Sequence, residues 1–531
     1  MPAEQYRQRT LPQVVEEAAA AYGDRPAISD GAVRLSYAQL DQARVQAARA
    51  FMAAGVAKGD RIAIWAPNIY QWIIAATGAQ SIGAVLVPLN TRLKGAEAAY
   101  ILRASGARLL FTVAQFLGVN YPAALREHPL PALEQIVLLE NEGESEGEGT
   151  VAWADFLDAG QGVAAAEVQR RAAALTPEDT LDILFTSGTT GQPKGVVTCH
   201  GQNIRTFETW SATVGLRSDD NYLIINPFFH SFGYKAGWLA AILRGAHMLP
   251  VKSFDLDEVL ARIASERISM IPGPPTIYQS LLAHPRREDF DLSSLRLAVT
   301  GAAPVPVALV EQMRSELGFE VVVTAYGLTE TCGVVSICRA DDSPERISRT
   351  SGRAMDGVEM KCVDAQGAIV AVGTPGEIWC RGFNVMRGYL DNPEETARAI
   401  TPDGWLKTGD VGVMDEDGYV RITDRIKDMF IVGGFNCYPA EIENSLCSMP
   451  GVARAAVIGV PDERMGEVAR AYIVKTAGSE LDEAAVIAWC RANMANYKVP
   501  RSVRFLDEFP LNAGGKVLKT QLRQLAADET A

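Results

Sequence analysis

Between Arg61 and Arg92 the chain carries no charged side chain for thirty positions. Such a run is long enough to span a bilayer. It is broken, however, by Pro67, Asn68, Gln71, Gln80, Gly83 and Pro88. The pieces read as a strand (Arg61–Trp65), a helix (Ile69–Ser81) and a second strand (Ala84–Leu89), buried together inside a globular domain and not in lipid. The preceding residues keep the same alternation. Leu11–Ala21 is amphipathic, Ala27–Ile28 is strand-like, and Ser36-Tyr37-Ala38-Gln39-Leu40 opens an Ala-rich helix to about Ala54. This pattern predicts an α/β fold: a large N-terminal domain of parallel-rich sheets with flanking helices.

At 531 residues the chain exceeds what one core serves, so a second domain is expected. Apolar content of 48% with 21% charged residues is that of an ordinary globular protein. A net charge of −14 argues against a nucleic-acid surface and against attraction to anionic membranes. Anionic ligands must then be met by local Lys and Arg. Eight cysteines show no C-x-x-C spacing and none of the five histidines pairs with one at metal-ligand spacing. That favours a reduced, cytoplasmic protein without structural zinc. The start, Met1-Pro2-Ala3-Glu4-Gln5, lacks the basic and apolar regions of a signal peptide. Residues 140–148 form an acidic, Gly-rich stretch expected to be a solvated, mobile loop.

The chemistry concentrates in Thr186-Ser187-Gly188-Thr189-Thr190-Gly191-Gln192-Pro193-Lys194-Gly195, after the apolar run Leu181–Phe185. Glycines let backbone N–H groups approach a polyanion, hydroxyls add donors, and Lys194 supplies a point charge. That suits the β- and γ-phosphates of a nucleotide better than it suits a plain surface turn. The loop is not a Walker A motif: Pro193 stands where a second Gly is required, and Lys194 is followed by Gly195. Val196–His200 reads as a strand, so the phosphates are expected in a mobile clasp without a helix dipole. This decamer resembles the phosphate loop of the adenylate-forming (ANL) superfamily, which includes acyl-CoA synthetases, luciferases and the adenylation domains of peptide synthetases.

Two further strands run into turns, Leu297–Thr300 into Gly301-Ala302-Ala303-Pro304 and Val321–Ala325 into Tyr326-Gly327-Leu328-Thr329-Glu330. Ligands sit at the carboxyl ends of such strands. Tyr326 offers a face to adenine, Thr329 a hydroxyl to the α-phosphate, and Glu330 a hard oxygen to a phosphate-bound Mg2+. The pentapeptide is similar to the family's own, and the resemblance adds Thr186 to the metal and catalytic residues. Asp410 offers a carboxylate to both ribose hydroxyls. The resemblance puts Ile422 and Arg425 on the nucleotide and makes Lys427 a hinge, dividing an adenylation domain, 1–423, from a small mobile α+β domain, 424–531. There Gly433 and Gly434 would let the CoA pantetheine pass, and Lys516 matches the family's catalytic lysine, although Gly514 stands where Ser is commoner.

Asn226-Pro227-Phe228-Phe229-His230-Ser231-Phe232-Gly233-Tyr234-Lys235 sets one histidine among aromatics. Alone it reads as a satisfied core residue. The resemblance makes His230 a gate for the substrate carboxylate, with Phe229, Gly301, Gly327 and Val334 around the acyl group. No Asp stands nearby to hold an α-amine, as it does in amino-acid-activating relatives.

Together these imply that a carboxylic acid is activated with Mg·ATP to an acyl-adenylate and passed to a thiol. Free CoA is the expected thiol, because no carrier domain follows Lys516. A homodimer stays open. Residues 226–237, 272–278 and 428–435 resemble the bacterial ligases acting on hexahydroindanedione propanoate, the bicyclic remnant of steroid rings C and D. Lys235 would then donate to a ring ketone, or else be a helix-surface lysine. A medium-chain fatty acid or an aryl-propanoate is the alternative acid. A catalytically silent nucleotide-binding protein is the alternative of another class, and Lys516, Glu330 and Asp410 speak against it.

Overall fold

The structure, a computed structural model, describes residues 8–140, 149–186, 193–301, 305–425, 428–432, 435–462, 464–494, 496–511 and 516–529. The charge-free run folds as strand Arg61–Trp65, helix Tyr70–Ser81 and strand Val85–Pro88. Every residue of that helix after Tyr70 is buried, which is what an uncharged helix requires. Trp72 meets the edges of Phe228 and Trp238 at 5.5 and 6.0 Å, and its loss would cost about 3–5 kcal/mol. The Ala-rich helix Tyr37–Ala53 packs alongside so closely that a Cβ on Gly78 would sit 2.6 Å from the Ala47 Cβ. Its start is fixed by a capping box: Gln39 N–H donates to Ser36 Oγ at 3.2 Å and Ser36 N–H to Gln39 Oε1 at 2.9 Å. Among the described residues no helix is long and apolar enough to cross a membrane.

Two large sheets carry the first part of the chain. The eight-stranded one runs Gly388–Tyr389, Lys194–Cys199, Thr180–Thr186, Val85–Pro88, Arg61–Trp65, Leu109–Thr112, Gln135–Leu138, Thr150–Ala152. From Thr180–Thr186 onward its pairs are parallel, and the first two strands are antiparallel additions. The nine-stranded sheet has a parallel middle, in which Asn221–Ile224, Met270–Gly273, Leu297–Thr300 and Val321–Tyr326 are successive neighbours. Antiparallel strands Val33–Ser36, Ser336–Ile337 and Arg353–Ala354 finish its edges. The α/β expectation therefore holds, with sheets that are mixed and not purely parallel.

The chain divides into two compact units, 1–360 with 380–406, and 361–379 with 407–531. The smaller contains a sheet of Phe435–Cys437, Phe430–Val432, Gly466–Lys475, Val452–Asp462 and Ser502–Phe505, with helices Pro439–Cys447 and Glu483–Asn493. The division read from the motifs, after residue 423, falls inside this unit. The strand Val420–Arg425 packs against helix Pro439–Cys447, so the hairpin it forms with Leu406–Met414 groups with the C-terminal elements. Residues 141–148 of the acidic stretch lie outside the described residues; at its border Glu140 pairs with Lys252 at 2.7 Å. All eight cysteines are free thiols.

Candidate active site

The phosphate-loop sequence closes a β-hairpin. Thr180–Thr186 and Lys194–Cys199 pair antiparallel, and Thr186 and Lys194 are direct cross-strand partners at the end that carries the loop. The tip, with Ser187, Gly188, Thr189, Thr190 and Gly191, lies outside the described residues. Gly195 is needed: a Cβ there would stand 2.8 Å from Ile183 Cγ2 and 3.2 Å from Leu390 Cβ. The Lys194 ammonium is ion-paired with Glu395 and lies 5.2 Å from the Tyr389 ring centroid. This bond holds the Glu395 carboxyl below its ordinary pKa. Tyr389 Oη in turn donates to Glu330 Oε1 at 2.9 Å. Burial, with the Glu330 charge, raises the Tyr389 phenol's pKa, so it stays a neutral donor. A relay of side chains thus joins the base of the phosphate hairpin to the Tyr-Gly-Leu-Thr-Glu turn.

That turn stands at the carboxyl edge of the nine-stranded sheet. Gly273, Thr300 and Thr324 are in register across three parallel strands, so the exits of those strands lie side by side. Gly301 and the half-buried Tyr326 are therefore brought together, while Ala302 and Ala303 lie outside the described residues. Thr329 and Glu330 occupy a 3-10 turn, followed by Cys332 and Gly333 at φ +55° and +108°. Gly327 is enclosed by backbone: a Cβ on it would come within 2.2 Å of the Gly333 carbonyl oxygen. Val334 is buried, and its carbonyl accepts from Asn384 Nδ2 at 2.7 Å.

The aromatic stretch leaves the same sheet after Ile224 and approaches this turn, since a Cβ on Gly333 would lie 2.9 Å from Ser231 Cβ. His230 is exposed at the start of the short helix Ser231–Gly233, where Nδ1 accepts from Phe232 N–H at 3.2 Å. It is thus not a core residue. Phe229 is half-buried, whereas Phe228 is the packed aromatic. Asn68 holds the stretch in place. Its Nδ2 donates to the Asn226 carbonyl at 2.9 Å and its Oδ1 accepts from Phe228 N–H at 2.8 Å. In sequence Asn68 reads only as a helix breaker. Its lone clue is a polar residue inside an uncharged run, where burial demands a partner.

Lys235 departs from the helix-surface expectation. It is completely buried, so it is not a surface residue, and its Nζ donates to Asp182 Oδ1 at 3.1 Å and Thr198 Oγ1 at 3.2 Å. Reaching a ring ketone would mean breaking this pair and leaving Asp182 as an uncompensated buried charge.

In the second unit, Asp410 is buried and is the cross-strand partner of Arg425, with Ile422 opposite Gly412. Asp410 N–H donates to Thr408 Oγ1 at 3.1 Å. Lys427, Gly433 and Gly434 lie outside the described residues. Lys516 is exposed, just before the bridge between Val517 and Leu511.

Among the described residues no cluster of three or more metal-ligating side chains occurs. A lone carboxylate, Glu330, with one oxygen accepting from Tyr389, fits an ion that arrives on a nucleotide's phosphates and keeps most of its own water.

The chain is similar to known proteins along nearly its whole length. The family described as AMP-binding enzyme matches residues 15–390, and its C-terminal domain matches 441–516. The chain is 50% identical over 519 residues to a Rhodococcus jostii (strain RHA1) CoA ligase, covering 97% of this chain and 98% of that one. It is likewise 50% identical over 517 residues to a Mycobacterium tuberculosis ligase of the same name, covering 97% and 99%. Both are named for a 7a-methyl-1,5-dioxo-octahydro-1H-inden-4-yl propanoyl group. The crystal structure of the anthranilate CoA ligase AuaEII with anthranoyl-AMP superposes with a TM-score of 0.86 at 28% identity, covering 99% and 100% of the two chains. The chain belongs to the AMP-binding enzyme family and is, within it, an acyl-CoA ligase that uses ATP, Mg2+ and coenzyme A.

Proposed function

We propose that the acid is the bicyclic steroid remnant, a methyl-dioxo-octahydroindenyl propanoate. The observation that carries this reading is 50% identity, over 97% of the chain, to two ligases from different genera named for that one acyl group. In the first step a carboxylate oxygen attacks the α-phosphorus of ATP and the bond to the β-phosphate breaks, releasing pyrophosphate. In the second, the CoA sulfur attacks the acyl carbon, its proton passes to solvent, and AMP leaves. The first step is a matter of positioning and charge neutralisation. Thr189, Thr190 and Lys194 grip the departing pyrophosphate, and Tyr326, Asp410 and Arg425 hold the nucleoside. Glu330 and Thr186 would hold the phosphate-borne Mg2+, which neutralises phosphate charge, and Lys516 would neutralise the charge shared by the carboxylate and the α-phosphate. His230 and Phe229 border the acyl group.

Rotation about Lys427 would then exchange Lys516 for the Gly433–Gly434 face on which CoA enters. The same reading places the enzyme in the cytoplasm and leaves a homodimer to be tested by light scattering. AMP release with Mg·ATP and CoA across acetate, octanoate, palmitate, cinnamate and the bicyclic keto acid tests the substrate. A preference for the keto acid of more than about tenfold in kcat/KM is expected, since a site that pairs polar substrate groups rejects analogues lacking them. Equal or better turnover of octanoate would overturn the assignment while leaving the chemistry intact.

A further inference from the structure

Beneath the phosphate hairpin lies an ion pair with no solvent contact, since Lys235 and Asp182 are both 0% exposed. Asp182 belongs to the strand that feeds the loop, and Thr198 to the strand that leaves it. Lys235 lies on a π-helical turn, Tyr234–Leu239, directly after the His230 stretch. Its ammonium spans the hairpin, bonding both Asp182 and Thr198, and Thr198 Oγ1 also donates to Asp182 Oδ1 at 2.6 Å. Asn203 Nδ2 closes the cluster on Thr198 Oγ1 at 2.8 Å. Cys332, in the turn after Glu330, feels both charges; burial pushes its thiol up to about 12. Two stretches assigned above to phosphate and acyl group therefore meet at one buried charge pair.

Stability does not explain such a pair, because replacing a buried ion pair by apolar residues is often neutral or stabilising. Geometry does. Apolar contacts are non-directional, whereas charge-assisted hydrogen bonds fix distance and angle. The local backbone also departs from regular helix: Gly237 inside the turn has φ −83° and ψ −105°. π-Turns of this kind recur at functional sites.

We propose that Lys235 and Asp182 form a positioning pair that fixes the acyl-pocket stretch against the phosphate hairpin, so that the carboxylate meets the α-phosphate in one geometry. Neither residue touches substrate. The proposal rests on the adenylation step described above but not on the identity of the acid, so whichever acid the panel selects serves for its test.

The variant Asp182→Leu/Lys235→Met removes both charges together and leaves no uncompensated charge, although the Thr198 hydroxyl gives up its acceptor. Expected are a melting temperature within about a few degrees of wild type, because the loss of the ion pair and the unpaired Thr198 hydroxyl oppose each other, an ATP KM within about threefold, and a kcat for acid-dependent ATP–pyrophosphate exchange lower by about tenfold or more. Thiolysis of added acyl-adenylate by CoA stays at the wild-type rate. Asp182→Glu keeps both charges but displaces the carboxylate by one methylene, and a fall in exchange of about threefold or more is expected. If the double variant does not fold, Asp182→Glu decides by the same criteria. Exchange within about twofold of wild type in a folded variant, or an equal loss in both half-reactions, would show the pair to be structural only.

Discussion

The phosphate hairpin and the carboxyl edge of the nine-stranded sheet lie in the same unit and are built on opposite terms. At the hairpin, long side chains answer one another: Lys194 with Glu395, and Tyr389 with Glu330. At the sheet edge, side chains are withdrawn: a methyl added to Gly327 would meet the Gly333 carbonyl at 2.2 Å, one on Gly333 would meet Ser231 Cβ at 2.9 Å, and one on Gly301 the Ala325 carbonyl at 3.3 Å. A polyanion needs cations whose present partners can be exchanged for phosphate. A flat base and an acyl chain need shaped space between backbones. Loss of function should therefore be electrostatic in the first region and steric in the second.

The place where the two regions join should be the most sensitive. Glu330→Gln keeps an acceptor for the Tyr389 hydroxyl, so fold and melting temperature should hold, but the negative charge is gone. Pyrophosphate exchange should fall about a hundred- to a thousandfold, the scale seen when one preorganised electrostatic group is removed. A fall of less than about tenfold would mean that Glu330 is only a link in the relay. Next in size is Gly327→Ala. Its methyl would press on the Gly333 carbonyl at 2.2 Å, a backbone atom that cannot swing aside. Overpacking of this kind costs about 1–3 kcal/mol, which lowers the melting temperature by a few degrees in a chain of this size. The ATP KM should rise about tenfold with salt dependence unchanged. Gly301→Ala sharpens the contrast, since its methyl meets the Ala325 carbonyl at 3.3 Å and the neighbour need give only a few tenths of an ångström. Its effect on both quantities should be visibly smaller; equal effects would sink the steric account of the edge.

What could be read from the sequence was whatever neighbouring residues decide. The run from Arg61 to Arg92 announced its strand, helix and strand because breakers and apolar runs are local signals, and the observed bounds differ from expectation by one residue at most. The clasp read as strand, loop and strand for the same reason, though its return strand ends at Cys199 and His200 opens a helix. Partners far along the chain could not be read. Glu395 lies 201 residues from Lys194, and Tyr389 lies 59 from Glu330. The burial of Lys235 is not legible locally, because a lysine beside Gly-rich turns is exposed as a rule. Only its partner Asp182, alone among Leu181, Ile183 and Leu184 on a buried strand, hinted that a charge was being met inside. An acid in an otherwise apolar strand is a prompt to look for its cation.

The smallest effect tests whether the hairpin's partners are exchangeable. The Lys194–Glu395 pair is partly exposed, with side chains 17% and 21% accessible, so it is worth no more than about 1 kcal/mol. If Glu395 competes with phosphate for Lys194, then Glu395→Gln should lower the ATP KM by about two- to fivefold, the factor that such an energy allows. Added salt should shrink the difference. The pH dependence has a definite sign. Because Lys194 lowers the Glu395 pKa, the pair is intact above the ordinary carboxylate value and is lost as pH falls through the lowered one. Wild type and variant should therefore differ by a constant factor from about pH 6 to 8 and converge only in acid. A higher KM in Glu395→Gln would reverse the reading: Glu395 would then be holding Lys194 in its working position, and the hairpin would be as rigidly preset as the sheet edge.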